Sequence, residues 1–132
     1  MIQDSRINKV KQENFGKGRK SEEIAKRYLI DKEFGWIESN FENKIGEIDL
    51  VMTDKEALVF VEVKMKVGDK YGSPEEMIRK RKLWQIRRVA ESYLVMRPEM
   101  ARKYQKYRID AVCIVMNENK SILRINHYEN LY

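Results

Sequence analysis

Two neighbouring segments of the sequence have the pattern of paired β-strands but carry charged residues where strands usually carry valine or isoleucine. They are "EIDLVM" and "ALVFVEVKM", separated by the polar turn "TDKE", which together predict a β-hairpin. Because side chains alternate between the two faces of a strand, Glu47 and Asp49 share one face of the first strand. By the same alternation, Glu62 and Lys64 share one face of the second, so a register that joins these faces makes a charge cluster. Charged groups at half-buried positions are costly unless something pairs with them.

The segment before the hairpin has the periodicity of an amphipathic helix. Over residues 18–30, Ala25 and Leu29 form an apolar line, which is the side of a helix that packs on a sheet. Glu22 lies one turn before Ala25 on that line, whereas Glu23 falls on the solvent side. We therefore expect Glu22 to point toward the sheet.

The segment after the hairpin begins with a strong helix-start signal. In "SPEE", Ser73 is the expected N-cap, Pro74 suits the first helical position and Glu76 completes a capping box. The predicted helix runs to about Met96. Lys82 falls inside its apolar arc, where a lysine either reaches from the core edge to solvent or is aimed at an acidic or phosphate-bearing site. Two later strands, "RIDAVCIVM" and "SILRINHY", are joined by the turn "NENK".

Length and composition predict one domain with one core over residues 16–132, after a flexible arm at residues 1–15. The chain has 132 residues, of which 42% are hydrophobic, and a chain of this size builds a single core. It contains no apolar run near the roughly 18 residues of a membrane span and no signal-peptide core, so we expect a cytoplasmic protein without membrane contact.

The single Cys113 lies in an apolar run and predicts a buried thiol, and the single His127 argues against His-rich metal sites and a Ser-His-Asp triad.

The charge of the chain is unevenly distributed. The net charge is +6, yet eleven Lys and Arg residues lie between Arg79 and Arg108 against two acids, Glu91 and Glu99. This local +9 predicts a surface for a polyanion. The alternative is an ordinary solvated helix face, which the near absence of compensating acids around "RKRK" makes less favourable.

The charges of the hairpin suit metal-dependent chemistry on phosphodiesters. Hard cations such as Mg²⁺ take carboxylate and carbonyl oxygens as ligands, and Asp49, Glu62 and the carbonyl of Val63 could supply them. Lys64 points the same way as Glu62, where its ammonium could orient a water or offset negative charge. The alternative is a solvent-face Glu/Lys pair, which is the usual meaning of this spacing on a strand. Glu47 is either a further ligand or a residue at the exposed start of its strand.

Taken in order, these motifs resemble the D…ExK core of the PD-(D/E)XK nuclease superfamily, with twelve residues between Asp49 and Glu62. More closely, the chain resembles the YraN-type family of small bacterial proteins, which are similar to archaeal Holliday-junction resolvases. The ExK motif alone is weak, whereas the ordered set is specific. The landmarks are the E-x-x-A step at Glu22, "GEIDL", "VFVEVK", "YGSPEE", Lys82 with "AESYL", "RID" and "INHYENLY".

The resemblance implies an α/β fold of restriction-endonuclease type, with a mixed central sheet of about five strands flanked by helices. It makes Glu22 the first-helix acid, Asp49 and Glu62 the ligands of Mg²⁺ or Mn²⁺, and Lys64 the catalytic lysine. Ile48 stands where the superfamily's name has proline. Lys66 stands where relatives usually have arginine, which keeps the charge but loses a two-pronged phosphate contact.

The implied function is metal-dependent binding and cleavage of nucleic acid, with branched or otherwise structured DNA as the expected substrate. Resolvase-like enzymes act as dimers, so a homodimer is an expected state. Two alternatives remain open: a non-catalytic nucleic-acid-binding or complex-assembly protein on the same fold, and a basic protein that docks on ribosomal RNA. The residues predicted to contact the nucleic acid are Lys66, Arg79, Lys80, Arg81, Lys82, Arg87 and Arg88.

Overall fold

The computed structural model describes residues 17–68 and 70–132, so the arm predicted at residues 1–15 lies outside the described residues. One helix and three consecutive strands are followed by two helices and two further strands, and a short 3₁₀ helix (Pro74–Met77) precedes the second α-helix. The elements are α1 (Lys17–Asp31), β1 (Gly35–Glu42), β2 (Glu47–Asp54), β3 (Ala57–Val67), α2 (Lys80–Met96), α3 (Pro98–Lys103), β4 (Lys106–Met116) and β5 (Ile122–Tyr128).

The described strands form one five-stranded sheet in the order β1-β2-β3-β4-β5. Neighbouring strands are antiparallel except for β3 and β4, which are parallel. A parallel pair needs a crossover connection, and α2 lies within it. The prediction of a mixed α/β sheet of about five strands flanked by helices is confirmed.

The predicted hairpin of β2 and β3 forms with a tight turn. Asp54 pairs with Ala57, which leaves Lys55 and Glu56 as the two turn residues, and Lys55 has a positive φ of 57°, as the favoured two-residue hairpin turns require. Their register pairs Leu50 with Val61. The pairing ends at this point, next to Asp49 on β2 and Glu62 on β3.

The sheet has a hydrophobic core on each face. On one face, the α1 residues Ile24, Ala25 and Leu29 pack on side chains that include Val61 and Val63. On the other, Ile86, Val89, Ala90 and Tyr93 of α2 pack on residues such as Phe60. Cys113 is fully buried, as predicted, and burial raises the pKa of its thiol to about 12.

The start of the second helix differs from the prediction of a cap at Ser73. Ser73 makes no side-chain capping hydrogen bond to the 3₁₀ helix, and α2 begins only at Lys80, after Arg79 in extended conformation. The cause lies in β5: Arg124 donates to both carboxylate oxygens of Glu75, at 2.7 and 2.9 Å, and the Tyr128 hydroxyl donates to one of them at 2.6 Å. These bonds hold the turn against the sheet, so the chain changes direction before α2.

Glu75→Gln is expected to destabilise the protein at neutral pH but not in strong acid. The hydrogen bond from Arg124 is the largest cause that lowers the pKa of Glu75 from 4.5 to about 2. Since this pKa is lower in the folded state, the stabilisation is complete above about pH 4.5 and is lost as the pH falls through about 2. Urea unfolding of both proteins between pH 7 and 2 measures the difference, and a difference that is the same at every pH would contradict this account.

A buried polar network joins β4, β5 and the residues after β5. Asp110 is fully buried and accepts hydrogen bonds from Arg108 at 3.0 Å, from His127 Nε2 at 2.8 Å and from the Asn130 N–H at 3.0 Å. Although burial opposes its ionisation, the bonds from His127 and Arg108 hold the pKa of Asp110 below its usual value. His127 also meets Lys32, with Nδ1 2.8 Å from Nζ. The two charged residues of "RID", Arg108 and Asp110, are therefore part of this hydrogen-bond network.

Candidate metal and nucleic-acid site

Three carboxylates from two elements meet beside the β2–β3 hairpin. Glu22 of α1 and Glu47 and Asp49 of β2 each place a carboxylate oxygen within 4.8 Å of the others. Glu22 reaches this place because Ala25 and Leu29, further along the same helix line, are fully buried. The predicted inward direction of Glu22 therefore corresponds to its position in the structure. Glu47 also lies in the group, although its side chain is exposed.

Asp49 lies where the regular pairing of β2 and β3 stops. Its Oδ2 accepts a hydrogen bond from the N–H of Val63 at 2.8 Å, so the side chain takes the place of a ladder partner. Burial and the charge of Glu62 raise the pKa of Asp49 from 3.8 to about 7, with Glu47 adding to the effect and the Val63 bond opposing it. Because the N–H and C=O of one strand residue face the same neighbour, the Val63 carbonyl also faces β2.

Glu62 lies beside Asp49 but is held by two ammonium groups. Its side chain is buried, with 4% exposed. Lys64 Nζ lies 3.3 Å from Oε1 and Lys82 Nζ lies 3.8 Å from Oε2. Of the two alternatives for Lys82, the structure shows the one in which the amine is aimed at an acidic residue. Lys82 therefore belongs to this acidic site as well as to the basic helix.

The site residues have the donor chemistry of a divalent metal site. Carboxylate and carbonyl oxygens are the ligands that Mg²⁺ and Mn²⁺ prefer, and Glu22, Asp49, Glu62 and Val63 offer both kinds. Of the predicted carboxylate ligands, Glu22 and Asp49 belong to the 4.8 Å group, with Glu47, whereas Glu62 lies outside that group. Concentrated like charges also repel one another unless a cation offsets them. The residues present thus fit a hard divalent cation.

The remaining predicted contacts lie on the exposed side of α2 and along β3. Arg79, Lys80, Arg81, Arg87 and Arg88 are exposed, and Lys66 is partly exposed. Lys66 follows Lys64 by two residues on β3 and so shares its face. Arg79 immediately precedes α2. Helical periodicity separates Lys80, Arg81, Arg87 and Arg88 from Lys82, which faces the sheet. The structure therefore divides the predicted basic set into Lys82 at the acidic site and an outer row on α2.

Known proteins that are similar to this chain share one family description. Residues 21–114 match the model of the uncharacterised protein family UPF0102. A UPF0102 protein of Pelotomaculum thermopropionicum is 35% identical over 87% of this chain and 93% of its own length. One of Syntrophomonas wolfei is 37% identical over 84% of this chain and 92% of its own length. A UPF0102 protein of Aliivibrio salmonicida is 40% identical over 74% of this chain and 79% of its own length.

The chain belongs to the UPF0102 family. This confirms the YraN-type resemblance, and the names of these relatives give the family without an activity. The UPF0102 match includes Glu22, Asp49, Glu62, Lys64 and Lys82 and ends before β5. Among residues 17–68 and 70–132, no helix combines the length and apolar character that crossing a membrane requires.

Proposed function

We propose that this UPF0102 protein is a metal-dependent phosphodiesterase, an endonuclease that acts on branched or otherwise structured DNA. The observation that carries the proposal is the meeting of three carboxylates, from Glu22, Glu47 and Asp49, within 4.8 Å next to the buried Glu62 and its lysine neighbours. Acidic side chains in a fold do not gather in this way without a cost that a cation relieves. A strongly basic helix begins at the same site, which suits a substrate made of phosphates.

The chain's own residues divide the work at this site. Glu22, Asp49, Glu62 and the Val63 carbonyl would hold Mg²⁺ or Mn²⁺. When bound, such an ion polarises a phosphate and makes a water more nucleophilic. The N–H of Val63 fixes the orientation of Asp49 through the 2.8 Å bond. The Lys64 ammonium, 3.3 Å from Glu62, would orient the attacking water or stabilise the extra negative charge of the transition state.

A second candidate is a non-catalytic nucleic-acid-binding or complex-assembly protein, acting on DNA or on ribosomal RNA. The contacts of Glu62 favour it, because Lys64 and Lys82 already balance this carboxylate. An acidic group that is balanced by lysines can persist for its structural value alone. Both candidates share the basic surface of α2 and differ in whether a metal produces cleavage.

Incubation with a panel of DNA substrates tests the proposal. The panel contains four-way junctions, flaps, single strands and linear duplexes, each with Mg²⁺, with Mn²⁺ and with chelator. We expect cleavage of at least one branched substrate with metal and none with chelator, and cleavage of both strands of a junction by a homodimer. Binding without cleavage across the whole panel, with either metal, would favour the second candidate.

Binding to DNA is expected to depend steeply on salt through the outer row of α2. Each phosphate contact contributes a slope of about −0.9 to the plot of log affinity against log salt. Arg81 and Arg88 are exposed, so the double variant Arg81→Gln/Arg88→Gln should make the slope shallower by up to about 2 units. The control is Arg102→Gln/Lys103→Gln on α3, which should keep the wild-type slope. Equal slopes for all three proteins would move the DNA-binding surface away from α2.

A further inference from the structure

An open apolar groove lies on the exposed side of α2, away from Lys82. It has a volume of about 470 Å³ and is lined by Lys80, Leu83, Trp84, Leu131 and Tyr132, a size common for ligand pockets. The Trp84 side chain is 52% exposed and that of Tyr132 is 51% exposed. Single exposed apolar residues are ordinary, but here two aromatic rings and two leucines share one concave surface.

A guanidinium group lies over one face of each aromatic ring. The guanidinium carbon of Arg88 lies 5.3 Å from the ring centroid of Trp84, and that of Arg87 lies 4.6 Å from the ring centroid of Tyr132. Within residues 79–96, six basic residues are set against one acid, Glu91. Aromatic rings with cations beside them are the means by which proteins hold single-stranded nucleic acid: the bases stack on the rings and the cations follow the phosphates.

The groove and the acidic site use the same turns of one helix. Lys82 of α2 reaches Glu62, while Lys80 and Trp84 line the groove. A helix with its side chains is about 10–12 Å across, so the two sites are separated by roughly the width of α2. A strand held in the groove therefore needs only a short further length to reach the carboxylates.

We propose that this groove binds unpaired nucleobases of single-stranded DNA by stacking on Trp84 and Tyr132. Resting on the proposed nuclease function, this identifies the preferred substrate class as DNA with a single-stranded segment beside the bond to be cut. Paired bases in a duplex are stacked on one another and cannot enter such a groove without being unstacked. An apolar groove of this kind also suits a proline-rich peptide or a second copy of the chain, but the excess of cations around it favours a polyanion.

Fluorescence of Trp84 tests the proposal without any cleavage. The chain contains two tryptophans, Trp36 and Trp84, so Trp36→Phe leaves Trp84 as the only tryptophan. In chelator, we expect a 12-nucleotide thymidine strand to quench this fluorescence and a blunt duplex of the same length to leave it nearly unchanged. Trp84→Ala should weaken binding of the single strand about 5- to 150-fold, the loss of one stacked base, and should change duplex binding less than threefold.

A matched aromatic residue provides the control. Trp36 is also exposed, at 45%, and also has a cation, Lys26 Nζ, 3.7 Å from its ring centroid, but it contacts α1 rather than α2. Trp36→Ala should leave single-strand affinity unchanged, and Trp84→Phe should retain most of it because the phenyl ring still stacks. Circular dichroism spectra of each variant establish that the fold is kept.

Three results would overturn the groove proposal. They are wild-type single-strand affinity in Trp84→Ala, an equal loss of duplex and single-strand affinity in that variant, and quenching of Trp84 that grows with protein concentration in the absence of DNA. The last would assign the groove to a second copy of the chain.

The nuclease proposal fails separately: if Trp84 binds single strands but no substrate is cut with metal, the groove stands and the catalytic role falls. If Trp84→Ala cuts branched DNA as fast as the wild type and with the same preference over duplex, the catalytic role stands and the groove proposal falls.

Discussion

Asp49→Asn is expected to raise the melting temperature of the metal-free protein at pH 8 and to abolish its stabilisation by Mg²⁺. In the wild type, burial and the charge of Glu62 raise the pKa of Asp49 from 3.8 to about 7, so its ionised form is less favourable in the folded state than in the unfolded one. Asparagine removes the charge and can still accept the Val63 N–H. Three pKa units at about 1.4 kcal/mol each set an upper limit of about 4 kcal/mol for the gain.

The pH dependence gives this prediction its sign. Below about pH 4, Asp49 is protonated in the folded and unfolded states alike, so its pKa shift costs no stability. The cost grows between about pH 4 and 7 and is complete above pH 7, where the group is ionised in both states. Thermal unfolding in chelator should therefore show the two proteins converging in acid and the variant melting higher at pH 8.

Addition of Mg²⁺ should reverse the order of the two proteins. A ligand that binds the folded state raises its stability by mass action, so the wild type should gain melting temperature with Mg²⁺ while Asp49→Asn gains little. The control is Glu56→Gln in the β2–β3 turn, where the carboxylate is exposed and lies outside the cluster. A wild type that is more stable than Asp49→Asn at pH 8 in chelator would show that the carboxylate cluster is not under electrostatic strain.

The hairpin and its charges could be predicted from sequence because their causes are local. Alternation sets the faces of β3, and the two-residue turn fixes the register of β2 and β3 as far as Leu50 opposite Val61. Beside Asp49 the alternation of β2 is broken, because Ile48 and Leu50 lie in the cores on opposite faces of the sheet. The inward direction of Glu22 could be predicted because Glu22 precedes Ala25 by one turn on the apolar line of its helix. Assignment of these residues to metal binding and catalysis is a further step, which remains a proposal.

What the sequence did not reveal depends on residues far apart in the chain. The helix-start signal at Ser73 was a valid local pattern, but Glu75 is bound by Arg124, 49 residues away, and the turn follows that contact. The environment of Asp110 depends in the same way on His127, 17 residues away. The sequence allowed two directions for the Lys82 amine, toward solvent or toward an acidic or phosphate-bearing site, because its partner Glu62 lies on another element. Tertiary contacts of this kind override local propensity without leaving a local signal.

The basic residues around Glu62 make the sharpest test of catalysis. Lys64→Ala is expected to lower cleavage by about 10²–10³-fold or more, the usual loss when one group that stabilises transition-state charge is removed. DNA binding should change little, because that stabilisation matters only during the reaction. The fold should also persist, since the Lys82 ammonium remains 3.8 Å from Glu62 after Lys64 is removed. Single-turnover cleavage and DNA affinity, measured in the same buffer, separate the two effects.

Lys66→Ala is the matched control, because Lys66 lies two residues further along the same face of β3. It should weaken DNA binding more than it slows the chemical step, since its ammonium would contact the DNA backbone rather than the reacting phosphate. The two variants should therefore show opposite patterns, with cleavage lost in Lys64→Ala and affinity lost in Lys66→Ala. If the wild type cuts no substrate and both variants weaken DNA binding equally, Lys64 is a binding residue and the non-catalytic candidate is the better account of the cluster.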